Sequence, residues 1–176
     1  EAQALWTHKL ERKYVETLEE TEEVIFLPML AKSFEKRKKF VTEDMYPVYS
    51  QPKLDGGRCL AHGSQKADVT DYVRLLSRSG KEYFLAHLPQ EIEAMGLPKK
   101  DVLDGELYLH DTTLQQLNRL VRGSHKYPES VTVEYHVYDY PDDGVTDWGS
   151  RLQAIEEFFS GTYCIDPGAE KVKRLE

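Results

Sequence analysis

Apolar and polar positions change their period along this chain, and the changes predict its elements. Leu5, Trp6, Leu10, Tyr14 and Leu18 recur at near-helical spacing among charges. That predicts an amphipathic lead-in helix within residues 1–20, or a connector from an upstream region. From Val48 the pattern shortens to strand lengths: Val48–Leu54, Arg58–His62 and Val73–Ser77 each mix apolar and polar residues. Phe84–Met95 reads as a helix stopped by Gly96 ahead of Pro98, and Val102–Leu109 alternates like a strand. Thr113–Val121 sets Leu114, Leu117, Leu120 and Val121 on one helical face, with Gly123 beyond. Val131–Tyr140, rich in β-branched and aromatic residues, predicts a strand closed by Pro141-Asp142-Asp143-Gly144. Trp148–Phe159 is a further helix, with Gly161 after it. Strands and helices interleave without a strict βαβ rhythm. The expected class is α+β: mixed, mostly antiparallel sheets with flanking helices.

A length of 176 residues suits one domain with a proper core. The expected division is a lead-in region over 1–22 and a single domain over 23–176. No apolar run approaches the roughly 18 residues a membrane span needs, and the start lacks a signal-peptide pattern. The expectation is a cytoplasmic protein with no membrane partner. Cys59 and Cys164 lie far apart, which suggests neither a disulfide framework nor a zinc site. His8, His62, His87, His110, His125 and His136 are scattered without ligand spacing. A net charge of −8 argues against a simple electrostatic nucleic-acid binder, although a local basic groove can exist on an acidic chain. Lys36-Arg37-Lys38-Lys39 reads first as a solvated face and second as a phosphate-contacting patch.

The densest chemical signal is Gln51-Pro52-Lys53-Leu54-Asp55-Gly56-Gly57-Arg58. Glycines let a backbone take positive φ and approach a ligand closely. A lysine held against such a turn becomes a nucleophile when desolvation or neighbouring cations lower its pKa. Arg58, always charged, suits phosphate or ribose. The plainer reading is an Asp-Gly turn preceded by a surface lysine.

Lys-x-Asp-Gly-x-Arg resembles the first motif of the covalent nucleotidyltransferases: ATP-dependent DNA ligases, RNA ligases and mRNA capping enzymes. Three further elements follow in that superfamily's order. Ser77-Arg78-Ser79-Gly80 resembles its Ser-Arg-x-Gly element, Leu103-Asp104-Gly105-Glu106-Leu107 its Asp-Gly-Glu motif, and Val137-Tyr138-Asp139-Tyr140 its aromatic-Asp motif. The resemblance runs from Leu27 to about Phe159 and is strongest to viral and phage DNA ligases. It implies a ligase-type adenylation domain that uses ATP and Mg²⁺ on nicked double-stranded DNA, acting as a monomer. RNA ligase or capping chemistry, and a non-catalytic nucleic-acid-binding module on the same fold, are the alternatives. By the same resemblance Lys53 is the AMP acceptor and Gln51 meets the adenine amino group. Arg58 and Arg78 contact the nucleotide sugar and the nick phosphate, Glu106 binds ribose or the metal, Tyr138 stacks on the purine, and Asp55 has a positioning role.

The chain also departs from the pattern. No Glu-Gly pair follows Phe159, and Lys171-Val172-Lys173 lies too close to Trp148 to serve as the family's Lys-x-Lys motif. The expectation is therefore a solvated tail at 171–173, a partial adenylation domain, and weak or absent ligation by these residues alone.

Overall fold

The computed structural model describes residues 26–46, 48–63, 73–123, 126–141, 146–160 and 171–175. The lead-in helix expected within residues 1–20 lies outside them. The alternating segments fold into strands β1 (Gly57–Gly63), β2 (Val73–Ser77), β3 (Glu82–Tyr83), β4 (Val102–Tyr108), β5 (Glu134–Asp139) and β6 (Val172–Arg174). They form one six-stranded sheet in the order β3-β2-β1-β4-β5-β6. Every neighbouring pair is antiparallel except β5 and β6, which run parallel. The helices are α1 (Phe34–Arg37), α2 (His87–Ala94), α3 (Leu114–Arg122) and α4 (Trp148–Ser160). This is the expected mixed, mostly antiparallel α+β architecture.

Successive strand residues point to opposite faces, so the alternation sorts the side chains. One face gathers Cys59, Ala61, Val73, Leu75, Leu103, Leu107, Tyr135 and Val137 into the main core. Leu88 and Ile92 of α2, and Leu117, Leu120 and Val121 of α3, close over it. Burying each of these large side chains is worth roughly 1.5–3 kcal/mol. α3 starts where Thr113 accepts from the Gln116 amide at 3.3 Å, while the Gln116 side chain accepts from the Thr113 amide at 3.0 Å. Such a reciprocal cap satisfies two amides that a helix start leaves without partners.

Two expected strands need correction. Residues 48–54 form no strand: Pro52 has no N–H to give to a ladder, and Pro52 and Lys53 are exposed. Residues 131–140 form a strand only over Glu134–Asp139, because Pro128 opens a 3₁₀ turn that runs to Thr132. The helix expected from Phe84 begins at His87.

The tail expected at 171–173 is also corrected, since Val172–Arg174 is strand β6. Val172 is buried in the core, and the Lys171 carbonyl accepts from the Tyr135 amide at 2.8 Å. Glu91 of α2 takes the Lys171 and Val172 amides, each at 3.1 Å. Lys-Val-Lys is itself a period-two pattern, and one buried valine anchors it. Among the described residues, no helix is long and apolar enough to cross a membrane.

Candidate active site

The site lies on the sheet face opposite α2 and α3, and a close approach of backbone to backbone builds it. A Cβ on Gly56 would sit 2.2 Å from the Leu107 carbonyl oxygen and 2.7 Å from Cγ of Glu106. Only glycine lets this turn press onto β4. The Gly56 amide then donates to Oε1 of Glu106 at 3.2 Å. That contact pins the turn and sets Lys53 at the mouth of a cleft of about 300 Å³, lined by Gln51, Lys53, Leu54, Glu106, Tyr138 and Leu175. Lys53 is exposed, and its Nζ donates to the Leu54 carbonyl at 3.4 Å. Its electrostatic partner across the cleft is the Glu106 carboxylate. Asp55 is exposed on the bend.

A register shift aims the aromatic ring. Asp104 pairs with Asp139 while Gly105 pairs with Val137, so Tyr138 is an extra residue on β5. A bulge of this kind re-directs the side chain it carries. The bulge leaves no room above Gly105, whose added Cβ would lie 2.4 Å from the His136 carbonyl oxygen and 2.7 Å from the Tyr135 ring. Beneath it the Tyr135 hydroxyl donates to the carbonyls of Leu103 at 2.8 Å and Cys59 at 3.1 Å. β1, β4 and β5 are thereby tied together under the site.

Arg58 joins Tyr138 to the sheet. Its guanidinium lies 5.8 Å from the Tyr138 ring centroid. Nε donates to Oδ1 of Asp104 at 3.0 Å, Nη2 donates to Oδ2, and Nη1 reaches the Met29 carbonyl at 2.8 Å. Asp104 is only 2% exposed, and a charge so placed is tolerable when both its oxygens are bonded. Burial pushes the Asp104 carboxyl above its usual value, with Arg58 pulling against it. The hydrogen bonds that Arg58 donates to Asp104 raise the pKa of Arg58. Burial also raises Glu106, opposed by the Gly56 amide and by Lys53. It raises Tyr138 too, so that ring stays a neutral phenol at physiological pH. Gln51 donates its Nε2 to the Tyr138 carbonyl at 3.5 Å. A carbonyl only accepts, so the amide nitrogen must face the strand and the amide oxygen is left to accept elsewhere.

Four of the residues singled out in the sequence, Gln51, Lys53, Glu106 and Tyr138, thus share one cleft, with Arg58 against the Tyr138 ring. Arg78 does not join them. It is exposed at the β2–β3 turn, where Gly80 has φ +74°, and lines a second cleft with Arg58. Sequence reasoning gave no role to Asp104, although its period-two relation to Glu106 places both on one face. It also missed Arg151 of α4, whose Nε donates to Oδ1 of Asp139 at 2.8 Å and locks α4 to the bulge. Among the described residues no group of three His, Cys, Asp or Glu side chains could hold a metal ion.

The sequence model of the family described as "ATP dependent DNA ligase domain" matches residues 28–144. The chain belongs to that family. As a ligase domain it is 34% identical over 110 residues to the DNA ligase of Enterobacteria phage T4, which covers 58% of this chain and 22% of the phage protein. It is 33% identical over 114 residues to the DNA ligase of Enterobacteria phage T6, covering 60% and 23%. The chain therefore spans less than a quarter of these relatives. The structure named "Pmar-Lig_Pre." superposes with a TM-score of 0.57 at 22% identity, over 72% of this chain and 29% of that one. A second, described as "DNA binding with a minimal scaffold: Structure-function analysis of Lig E DNA ligases", gives 0.51 at 19% identity over 72% and 42%. Both show that the ligase domain here shares their fold. The matched span takes in Lys53, Arg78, Glu106 and Tyr138.

Proposed function

We propose that this chain is the nucleotide-binding part of an ATP-dependent DNA ligase that works as a monomer in the cytoplasm, with Lys53 as its AMP acceptor. One observation carries the reading: a lysine, a carboxylate, an aromatic ring and an amide line one cleft of about 300 Å³. Tyr138 offers a neutral face for adenine to stack on. The free amide oxygen of Gln51 accepts from the adenine amino group. The unprotonated Nζ of Lys53 attacks the α-phosphorus of ATP, the bond to the β-phosphate oxygen breaks, and pyrophosphate leaves. AMP remains as a lysyl phosphoramidate. An oxygen of the 5′-phosphate at a nick, positioned by Arg78, next takes the AMP and returns the nitrogen lone pair to Lys53. The 3′-hydroxyl then attacks that 5′-phosphorus and releases AMP. Such phosphoryl transfers need positioning and charge neutralisation more than covalent help.

Glu106 is the carboxylate that fits Mg²⁺. A single cleft-facing carboxylate suits an ion that takes most of its ligands from substrate phosphates and water. When bound, Mg²⁺ supplies neutralisation of the leaving pyrophosphate. Glu106 keeps one oxygen on the Gly56 amide and has the other for ribose or the ion.

The test uses α-labelled ATP with Mg²⁺, beside ATP-dependent thermal stabilisation. The chain should label faintly and solely through Lys53, and ATP should raise its melting temperature. Tyr138→Ala should abolish that rise. Labelling that survives Lys53→Ala, or stabilisation that survives Tyr138→Ala, would refute the assignment. Binding of nicked duplexes with DNA or RNA on each side of the nick separates a DNA ligase from an RNA ligase.

A further inference from the structure

The second cleft, of about 510 Å³, is larger than the nucleotide cleft and differs from it in charge. Arg58, Arg78, Lys81 and Arg122 line it, against one carboxylate, Glu82. Arg58 is already neutralised by Asp104, and Glu82 pairs with Arg74 at 3.3 Å. Arg78, Lys81 and Arg122 remain, and none is ion-paired to a described residue. Three uncompensated cations around one opening, on a chain of net charge −8, make a focused positive field.

The far wall is α3, and it is built for two faces. Leu117, Leu120 and Val121 are buried in the core. Leu114, Asn118 and Arg122, four residues apart, run as one stripe along the cleft. Arg119 leaves that stripe to stack on Tyr127, its guanidinium 4.6 Å from the ring centroid. The helix is held by its capping box and by the core, so Arg122 rides on a rigid element. The β2–β3 hairpin opposite is equally fixed. The Ser77 amide donates to the Lys81 carbonyl at 2.7 Å, and the Lys81 amide to Oγ of Ser77 at 3.0 Å. Gly56, whose amide is bound by Glu106, lines this cleft beside Gly57. An anion lying here therefore passes beside the turn that carries Lys53.

We propose that α3 forms the second wall of a phosphodiester-backbone groove for duplex DNA, with Arg122 contacting a phosphate and Asn118 hydrogen-bonding the same strand. This rests on the ligase reading and extends it to a helix that no motif marks. Phosphate contacts of this kind position a duplex without reading its sequence. The same chemistry would also suit pyrophosphate or the tail of ATP, and the experiment separates these sources.

The experiment is fluorescence anisotropy of a labelled nicked duplex with the 176-residue chain across a salt series. Arg122→Ala should weaken binding about tenfold near 0.1 M salt and lower the slope of log affinity on log salt by about 0.9, the signature of one lost phosphate contact. Arg122→Lys should keep the slope. Asn118→Ala should weaken binding without changing it. Arg119→Ala removes the same charge from the same helix and should leave binding as it was. Equal losses from Arg119→Ala and Arg122→Ala would reduce the effect to net charge and overturn the proposal, as would no loss from Arg122→Ala or no duplex binding by the unsubstituted chain. If Arg122→Ala instead weakens ATP or pyrophosphate binding and spares the duplex, the cleft holds a nucleotide tail and the proposal is wrong. ATP stabilisation of the unsubstituted chain, which Tyr138→Ala should abolish, is measured alongside and reports on the nucleotide cleft alone. Its failure would sink the ligase reading whatever α3 does.

Discussion

On one face of the sheet, Cys59, Leu103, Leu107, Tyr135 and Val137 pack under α2 and α3, and every one is buried. On the other, Glu106 and Tyr138 face a cleft, while Arg58 holds the buried Asp104 and lies against the Tyr138 ring. Both faces use the same strands, so the contrast is one of side chains alone. The helix-covered face gains from removing apolar surface from water. The open face carries charges, which must be paired, bulged and hydrogen-bonded to be held at all. A region that bears such a cost while its reverse is a plain core is a region kept for chemistry.

The sharpest way to break this comparison is to cut the core. Leu103→Ala should cost about 2–5 kcal/mol in denaturant unfolding. Its ATP response should persist wherever the chain is still folded. A selective loss of the ATP response at unchanged stability would mean that the two faces are not separable.

Asp104→Asn tests the open face. It removes one charge of a buried pair and leaves Arg58 without its partner, which should cost about 2–3 kcal/mol, below the loss for a wholly buried pair because Arg58 is partly exposed. It should also weaken ATP binding, because Arg58 would no longer be held against Tyr138. Unchanged stability and unchanged ATP affinity would show that the pair braces nothing.

Tyr135→Phe keeps the ring and deletes the hydroxyl that bonds Leu103 and Cys59. A loss of about 1–3 kcal/mol is expected, since two buried carbonyls are left short of a donor.

The smallest effect belongs to Glu106. Burial raises its pKa above 4.5, so the folded state holds its proton more tightly than the unfolded chain. The stability gained from that proton is present in full below the unfolded pKa and is lost as pH rises through the folded one. Glu106→Gln removes the ionisation while its amide oxygen still accepts from Gly56. It should raise the melting temperature at pH 7 by at most about 2 °C, with the gain fading below pH 4.5. A gain that grows toward acid pH would contradict this sign.

How far the site was legible depends on the residue. Lys53, Glu106 and Tyr138 stood in short strings whose spacing a reader of sequence can match, and the structure puts all three in one cleft. Gln51 was found by its offset from Lys53, although the strand drawn around it does not form. Asp104 went unassigned because nothing local tells a carboxylate that faces an arginine from one that faces water. Its partner lies 46 residues away on a neighbouring strand. β6 was misread for a similar reason, since a three-residue strand has too short a pattern to stand out until β5 supplies its ladder.

Local order determined most of the described elements by itself: the segments of β1, β2, β4, α3 and α4 took the expected form, because each residue votes through its own burial, whereas residues 48–54, broken by Pro52, formed no strand. Tertiary structure alone decided which face became the site, that Arg78 would stand apart from Lys53 in a second cleft, and that Val172–Arg174 would join the sheet. Those outcomes turn on a bulge, a glycine contact and a parallel ladder. Each depends on residues distant in the chain meeting within a few ångströms, and no local pattern encodes such a meeting.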